Sequence, residues 1–236
     1  LTTIVKAGRR ISLVVSRGIV LEHIEDYTGQ ILDDVRIELQ TLFAGSTNPL
    51  IILAEPVYKA DVANPGTILE QTPPAGTIIT EPVTVKLIVS RGPEFESTRP
   101  PKIVGKTVAE MLQLMKSSKI IYDFTSHAAT SGEKAGTIVQ QQSIDKEFIP
   151  NYTRVTAEFA FPENSENVYG LLTDTLTNYP YPVPMKVEVQ PPEGDMYTLI
   201  DFVHPGGNLT IPYAVPKDST LILTVVKREH KRIVVK

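Results

Sequence analysis

Residues 66–92 read GTILEQTPPAGTIITEPVTVKLIVSRG. The last part, 76–92, repeats residues 2–18, TTIVKAGRRISLVVSRG, without a gap: Leu13 aligns with Leu87, Val15 with Val89 and Ser16-Arg17-Gly18 with Ser90-Arg91-Gly92. The first part returns later as Gly136-Thr137-Ile138, with Gln141 in the place of Gln71 and Val155, Ala157 and Phe159 in the places of Val85, Leu87 and Val89. Upstream, Gly29 matches Gly105, and Leu32, Val35 and Leu39 match Val108, Met111 and Met115. The period is about 70–76 residues, with slack in the middle.

Each copy predicts one helix followed by strands. Val108, Met111, Leu112 and Met115 stand at i, i+3, i+4 and i+7, one face of an amphipathic helix. Thr107 and Glu110 have capping-box spacing, and Ile31 stands where Thr107 would be in the earlier copy. Val83, Val85, Leu87 and Val89 alternate with Thr84, Lys86 and Ser90, the period of a strand with one buried face. Pro73-Pro74-Ala75-Gly76 reads as the turn between two strands. Each copy therefore reads as one helix on a short sheet. A unit of about 70 residues with no disulfide is marginal alone, and neighbours and proline-stiffened joints such as Pro93 and Pro100-Pro101 would support it.

The pattern resembles the PASTA repeat of penicillin-binding proteins and bacterial serine/threonine kinases. The resemblance rests on Pro101-Lys102-Ile103-Val104-Gly105-Lys106-Thr107 as the opening, Gly66–Thr77 as the strand and turn, and Val15–Gly18 and Val89–Gly92 as closing strands. It covers about residues 2–161. Glu25 replaces the opening proline of the middle copy. Ser143-Ile144-Asp145 replaces the Pro-x-x-Gly turn of the last copy, and Ala160-Phe161-Pro162 its Ser-Arg-Gly ending. Beyond about Thr177 no helical period appears. Met185–Val189, Tyr197–Val203, Leu209–Pro212 and Leu221–Val226 read as strands between Pro/Gly turns, similar to the immunoglobulin-like domain that ends some PASTA kinase ectodomains.

The expected architecture is α+β: tandem small PASTA units in an elongated array, followed by a small all-β sandwich-like domain. The boundaries are 1–18 for the end of a truncated repeat, 19–92 and 93–161 for two repeats, the second divergent, and 162–236 for the β domain with its linker.

Composition excludes several chemistries. There is no Cys, which removes disulfides, thiolate nucleophiles and zinc-finger sites. With 23 Lys/Arg against 27 Asp/Glu the net charge is −4, against a phosphate-neutralising nucleic-acid binder. The 19 prolines, about 8% against a usual ~5%, predict many short elements with stiff turns. No run approaches the ~20 apolar residues of a membrane span, and the start at Leu1-Thr2-Thr3-Ile4 reads as the middle of a longer chain.

A search for catalytic groups leaves little. His23, His127, His204 and His230 lack metal-ligand spacing and read as loop or surface residues. Ser143-Ile144-Asp145-Lys146 has the Ser-x-x-Lys form but no partner motif, and no kinase signature is present. Asp33-Asp34 and Glu25-Asp26 suit a helix N-terminus. The sequons at Asn151 and Asn208 are common by chance and carry no weight if the source is bacterial, as the resemblance implies, and the basic tail Lys227–Lys236 reads as a solvated edge strand. No cofactor, metal or enzymatic activity is expected.

The resemblance implies a non-catalytic, extracytoplasmic module that recognises peptidoglycan fragments, anchored by an N-terminal membrane helix that precedes these residues. Arg can fork a muropeptide carboxylate, and Glu and Gln can bond its amides and hydroxyls. Glu70, Gln71 and Arg91, with Gln141 and Arg17 at matching positions, are the candidate ligand residues; the competing reading is that the glutamines brace the turn and Arg91 caps a joint. The alternatives in function are a spacer or protein-interaction rod in a cell-envelope protein, or the ectodomain of a serine/threonine kinase or penicillin-binding protein.

Overall fold

The computed structural model describes residues 21–93, 96–163 and 165–236. Arg17 and the partial repeat 1–18 lie outside the described residues. In chain order the elements are α1 (Leu32–Leu42), β1 (Ile51–Leu53), β2 (Val57–Lys59), β3 (Ile68–Thr72), β4 (Val83–Ser90), β5 (Ser97–Thr98), α2 (Val108–Ser117), β6 (Ile121–Ala128), β7 (Thr137–Gln141), β8 (Ile149–Pro150), β9 (Arg154–Phe161), β10 (Asn167–Leu176), β11 (Val183–Gln190), β12 (Tyr197–His204), β13 (Gly207–Pro216), β14 (Thr220–Val225) and β15 (Arg228–Val234). The chain divides into two compact units: residues up to Val57 with Thr67–Val89, and Tyr58–Gly66 with Ser90–Lys236.

In the first unit β1 runs parallel to β4 and β3 antiparallel to it, with a bulge between Ile68 and Glu70. The alternation read in β4 buries Val85, Leu87 and Val89, and Leu32, Val35, Leu39 and Ile68 of the same unit are buried as well. The second unit repeats the pattern: β6 runs parallel to β9 and β7 antiparallel to it, bulged between Ile138 and Gln140. Backbone bonds recur as well. Gly29 donates to Ile68 O at 2.8 Å and Gly105 to Ile138 O at 2.7 Å; Ile68 donates to Gln30 O and Ile138 to Lys106 O, both at 2.9 Å.

The slack in the period has a definite place. Ile31 and Thr107 are 76 residues apart, whereas the starts of β1 and β6, Ile51 and Ile121, are 70 apart, so the first copy holds six extra residues between them. They enlarge the segment between α1 and β1, where Phe43 and Pro49 join Arg36, Leu39 and Ile51 around a pocket of about 420 Å³.

The helix starts follow local sequence. The Thr107 side chain accepts from Glu110 N while the Glu110 carboxylate accepts from Thr107 N at 2.8 Å, and α1, behind Ile31, has no side-chain cap.

The α+β expectation is corrected: the described residues are mostly β, with fifteen strands against two helices. The cause is partly length. Each helix makes only about three turns, while the terminal region adds long strands, including β10, which pairs with β13 over its full length and carries no clear alternation in sequence. The cause is also packing. The apolar face of α2 is buried as its period requires, but α2 lies against β12 and β13 of the terminal region. Met115, Ile120 and Tyr122 meet Phe202, Val203 and Leu209 around a void of only about 10 Å³. The second copy and the terminal strands therefore share one core, not a sequence of separate helix-on-sheet beads. In the terminal region the four-stranded order is β12-β11-β14-β15, all antiparallel, with β15 at an edge.

Candidate functional site

The glutamine of each copy is spent on its own backbone. Gln71 Oε1 accepts from Tyr27 N at 2.6 Å and its Nε2 donates to Glu25 O at 2.9 Å. Gln141 Oε1 accepts from Ile103 N at 3.0 Å and its Nε2 donates to Pro101 O at 3.0 Å. In both copies the amide therefore clips residues i and i+2 of the opening segment to the middle strand. An amide committed in both donor and acceptor senses to fixed backbone groups acts as a brace. Glu70 is exposed on β3 beside Gln71, in the first unit.

Arg91 falls in the second unit. Its N–H donates to Lys59 O at 2.8 Å, and its exposed side chain lines a cleft of about 510 Å³. The other walls are Pro65, Pro93, Pro150, Pro180, Pro182 and Pro205 with Tyr152, Tyr179 and Tyr181. Tyr181 is buried, its ring 5.8 Å from that of Tyr58, and Gly66 sits so close that a Cβ there would come within 3.1 Å of the ring. Glu96, the only carboxylate among the lining residues, takes the ammonium of Lys119 and the Nδ2 of Asn151, the latter at 2.7 Å. Among the described residues the Arg91 guanidinium has no such partner. Burial pushes the Tyr152 hydroxyl up, so it stays a protonated donor.

A second polar cluster joins the second copy to the terminal strands. Arg154 on β9 donates from Nη1 to Asp123 Oδ1 at 2.6 Å and to Asn208 O at 3.0 Å, and from Nη2 to Gly206 O at 3.0 Å. Gly206 N in turn donates to Nδ1 of His204 at 3.1 Å. Gly206 has φ +89°, and a Cβ there would lie 2.0 Å from Thr177 O, so only glycine fits. The Thr210 hydroxyl closes the other flank, accepting from Phe124 N at 2.8 Å and donating to Tyr122 O at 2.9 Å. His204 is a correction to the reading of all four histidines as loop or surface residues: it ends β12 and is only 5% exposed. Burial, with the Arg154 charge added, pushes it down to about 4. His127 behaves oppositely, raised by hydrogen bonds to Glu133 and Glu158 at 3.1 and 2.9 Å.

The structure thus separates the candidates: Glu70 and Gln71 in the first unit, Arg91 and Gln141 in the second, with Gln141 lining a different depression of about 1000 Å³ beside Arg99 and Lys102. Sequence reasoning missed Tyr152, Tyr179 and Tyr181. The run Tyr179-Pro180-Tyr181-Pro182 was a usable signal, since alternating aromatic and proline rings make a rigid apolar wall.

Comparison with known proteins gives a limited frame. No family profile matches the chain. A protein of Borreliella burgdorferi described only as uncharacterised is 23% identical over 224 residues, covering 94% of this chain and 70% of its own length. A probable serine/threonine-protein kinase of Clostridium acetobutylicum is 26% identical over 84 residues, 36% of this chain and 13% of the kinase. Two solved structures align at a TM-score of 0.26, too low to carry an argument. One is the entire extracellular region of the Ser/Thr kinase PrkC from Staphylococcus aureus, 14% identical over 91% of this chain and 76% of that one. The other is a three-PASTA-domain region of a Ser/Thr kinase from the same species, 16% identical over 67% and 73%. No helix among the described residues is long and apolar enough to cross a membrane.

Proposed function

We propose that this chain is the non-catalytic, extracytoplasmic part of a membrane-anchored bacterial envelope protein, built like a PASTA-bearing kinase ectodomain. The observation that carries this reading is the duplicated brace: Gln71 and Gln141 make the same pair of bonds to the opening segments of two copies, of which the first resembles the PASTA strand and turn at Gly66–Thr77 and the second keeps the strand with Ser143-Ile144-Asp145 in place of the turn. The local sequence similarity to a probable serine/threonine kinase supports it. Recognition of peptidoglycan fragments is the activity that the PASTA resemblance implies. Within it Arg91 and Glu70 are the available ligand groups, because the glutamine amides are engaged.

The test is topological. The full-length protein carrying an epitope inside 97–236 is expected to be cleaved by protease added to intact spheroplasts, while a cytoplasmic marker is spared. Complete protection until the membrane is lysed would refute the reading.

A further inference from the structure

The lining of the Arg91 cleft has a chemistry of its own. Three tyrosines and six prolines form its walls, so the surface is flat-ringed, rigid and apolar between its polar tips. Its polar side chains are Arg91, Asn64, Asn151, Lys119, Glu96 and the hydroxyl ends of Tyr152 and Tyr179, and its one lining carboxylate is already occupied by Lys119 and Asn151, which leaves the Arg91 charge unmatched within the lining. A ligand with flat apolar faces and a negative charge is therefore the one that fits.

A proline-rich segment that carries an acidic residue meets both conditions. Each Pro has a carbonyl acceptor and no N–H, the polyproline II helix leaves those carbonyls pointing outward, and its rings pack into grooves lined by aromatic side chains. The ordering entropy is small because the helix is largely preformed. Arg91, without an ion-pair partner among the described residues, adds a place for a carboxylate, which a guanidinium holds in a fork. A volume of about 510 Å³ lies within the usual range of ligand clefts.

We infer that the cleft lined by Arg91, Tyr152, Tyr179 and Tyr181 binds an extended, proline-rich peptide segment of a partner protein, with an acidic residue of that segment seated on Arg91. This goes beyond the envelope-protein reading, which is tested by protease accessibility and stands or falls separately.

The experiment titrates the whole chain, isotope-labelled, with acetyl-Pro-Pro-Pro-Glu-Pro-Pro-Pro-amide, with the same peptide carrying Gln for Glu, and with chitotriose as the sugar probe. The acidic peptide is expected to shift the amides of residues 91–92, 151–152 and 179 with a dissociation constant below about 1 mM. Arg91→Ala is expected to weaken the acidic peptide about fivefold or more and leave the Gln peptide unchanged. Tyr179→Ala, at a half-buried position whose structural bond is made by its backbone, is expected to weaken both peptides about threefold. The inference is overturned if no cleft amide moves at about 5 mM peptide, if chitotriose moves these amides and the peptides do not, or if Arg91→Ala weakens both peptides equally.

Discussion

The His204 position allows a prediction with a worked magnitude. His204 is neutral in the fold because burial and the Arg154 charge push its pKa from 6.5 down to about 4. Between those values the unfolded chain binds a proton that the folded chain refuses. Stability is therefore complete above pH 6.5 and is lost as the pH falls towards 4. At 1.36 kcal/mol per pKa unit the full gap is worth about 3 kcal/mol, with about 1.4 kcal/mol already lost at pH 5.5. The structural reason is local. Protonated Nδ1 can no longer accept from Gly206 N, and the new charge faces the guanidinium that holds Gly206 O and Asn208 O. The assay is urea unfolding at pH 7, 5.5 and 4, comparing the wild type with His204→Asn, whose Oδ1 can take the same hydrogen bond without titrating. The two proteins are expected to diverge by about 3 kcal/mol across the range. Parallel pH dependences, within about 0.5 kcal/mol, would show that His204 is solvated in the fold and would refute the reasoning.

Four further outcomes follow from the geometry. Gln141→Leu leaves the N–H of fully buried Ile103 without its acceptor and should cost about 1–3 kcal/mol in chemical denaturation. Gln71→Leu should cost a similar amount, read as earlier melting of the first unit by hydrogen exchange at Tyr27. Gly206→Ala puts a Cβ 2.0 Å from Thr177 O at a positive φ, so the second unit should fail to give dispersed amide resonances. His127 has a raised folded pKa, so its contribution is fully present below pH 6.5 and lost as the pH rises through the folded value; a histidine ring titration by NMR should place the midpoint above 6.5, and His127→Gln should abolish that loss.

What the sequence revealed of the fold divides along physical lines. The strand–turn of 66–77, the alternation in 83–90 and the helix at 108–117 were legible because each is set by neighbours in sequence: a turn residue, a period of two, a cap three residues before its partner. The burial partner of α2 was not legible, because an apolar stripe states that something must cover it without saying what. Here β12 and β13, some 90 residues on, supply the cover through Phe202 and Leu209, and that exchange moves the chain from the expected α+β class to mostly β. His204 was misread for the same reason. Nothing adjacent to it in sequence announces Arg154, which reaches the 206–208 turn from a different strand.

For Gln71 and Gln141 the sequence leaves two readings open, a ligand contact and a brace of the turn, because recurrence at matched positions is equally the mark of a part that every copy needs in order to fold. The structure distinguishes the two through the bond count of a single amide: each glutamine has its oxygen and its nitrogen engaged by backbone 38 to 46 residues away. Arg91 differs, since its backbone N–H serves the fold and its side chain lines a cleft that the fold does not fill. A residue whose structural bond is made by the main chain is free to vary or to bind, so the side chain that remains is where a function has room to act. By that criterion Arg91 and Glu70 stand ahead of the two glutamines, and the tyrosines around Arg91, not the repeat motif itself, set what it can hold.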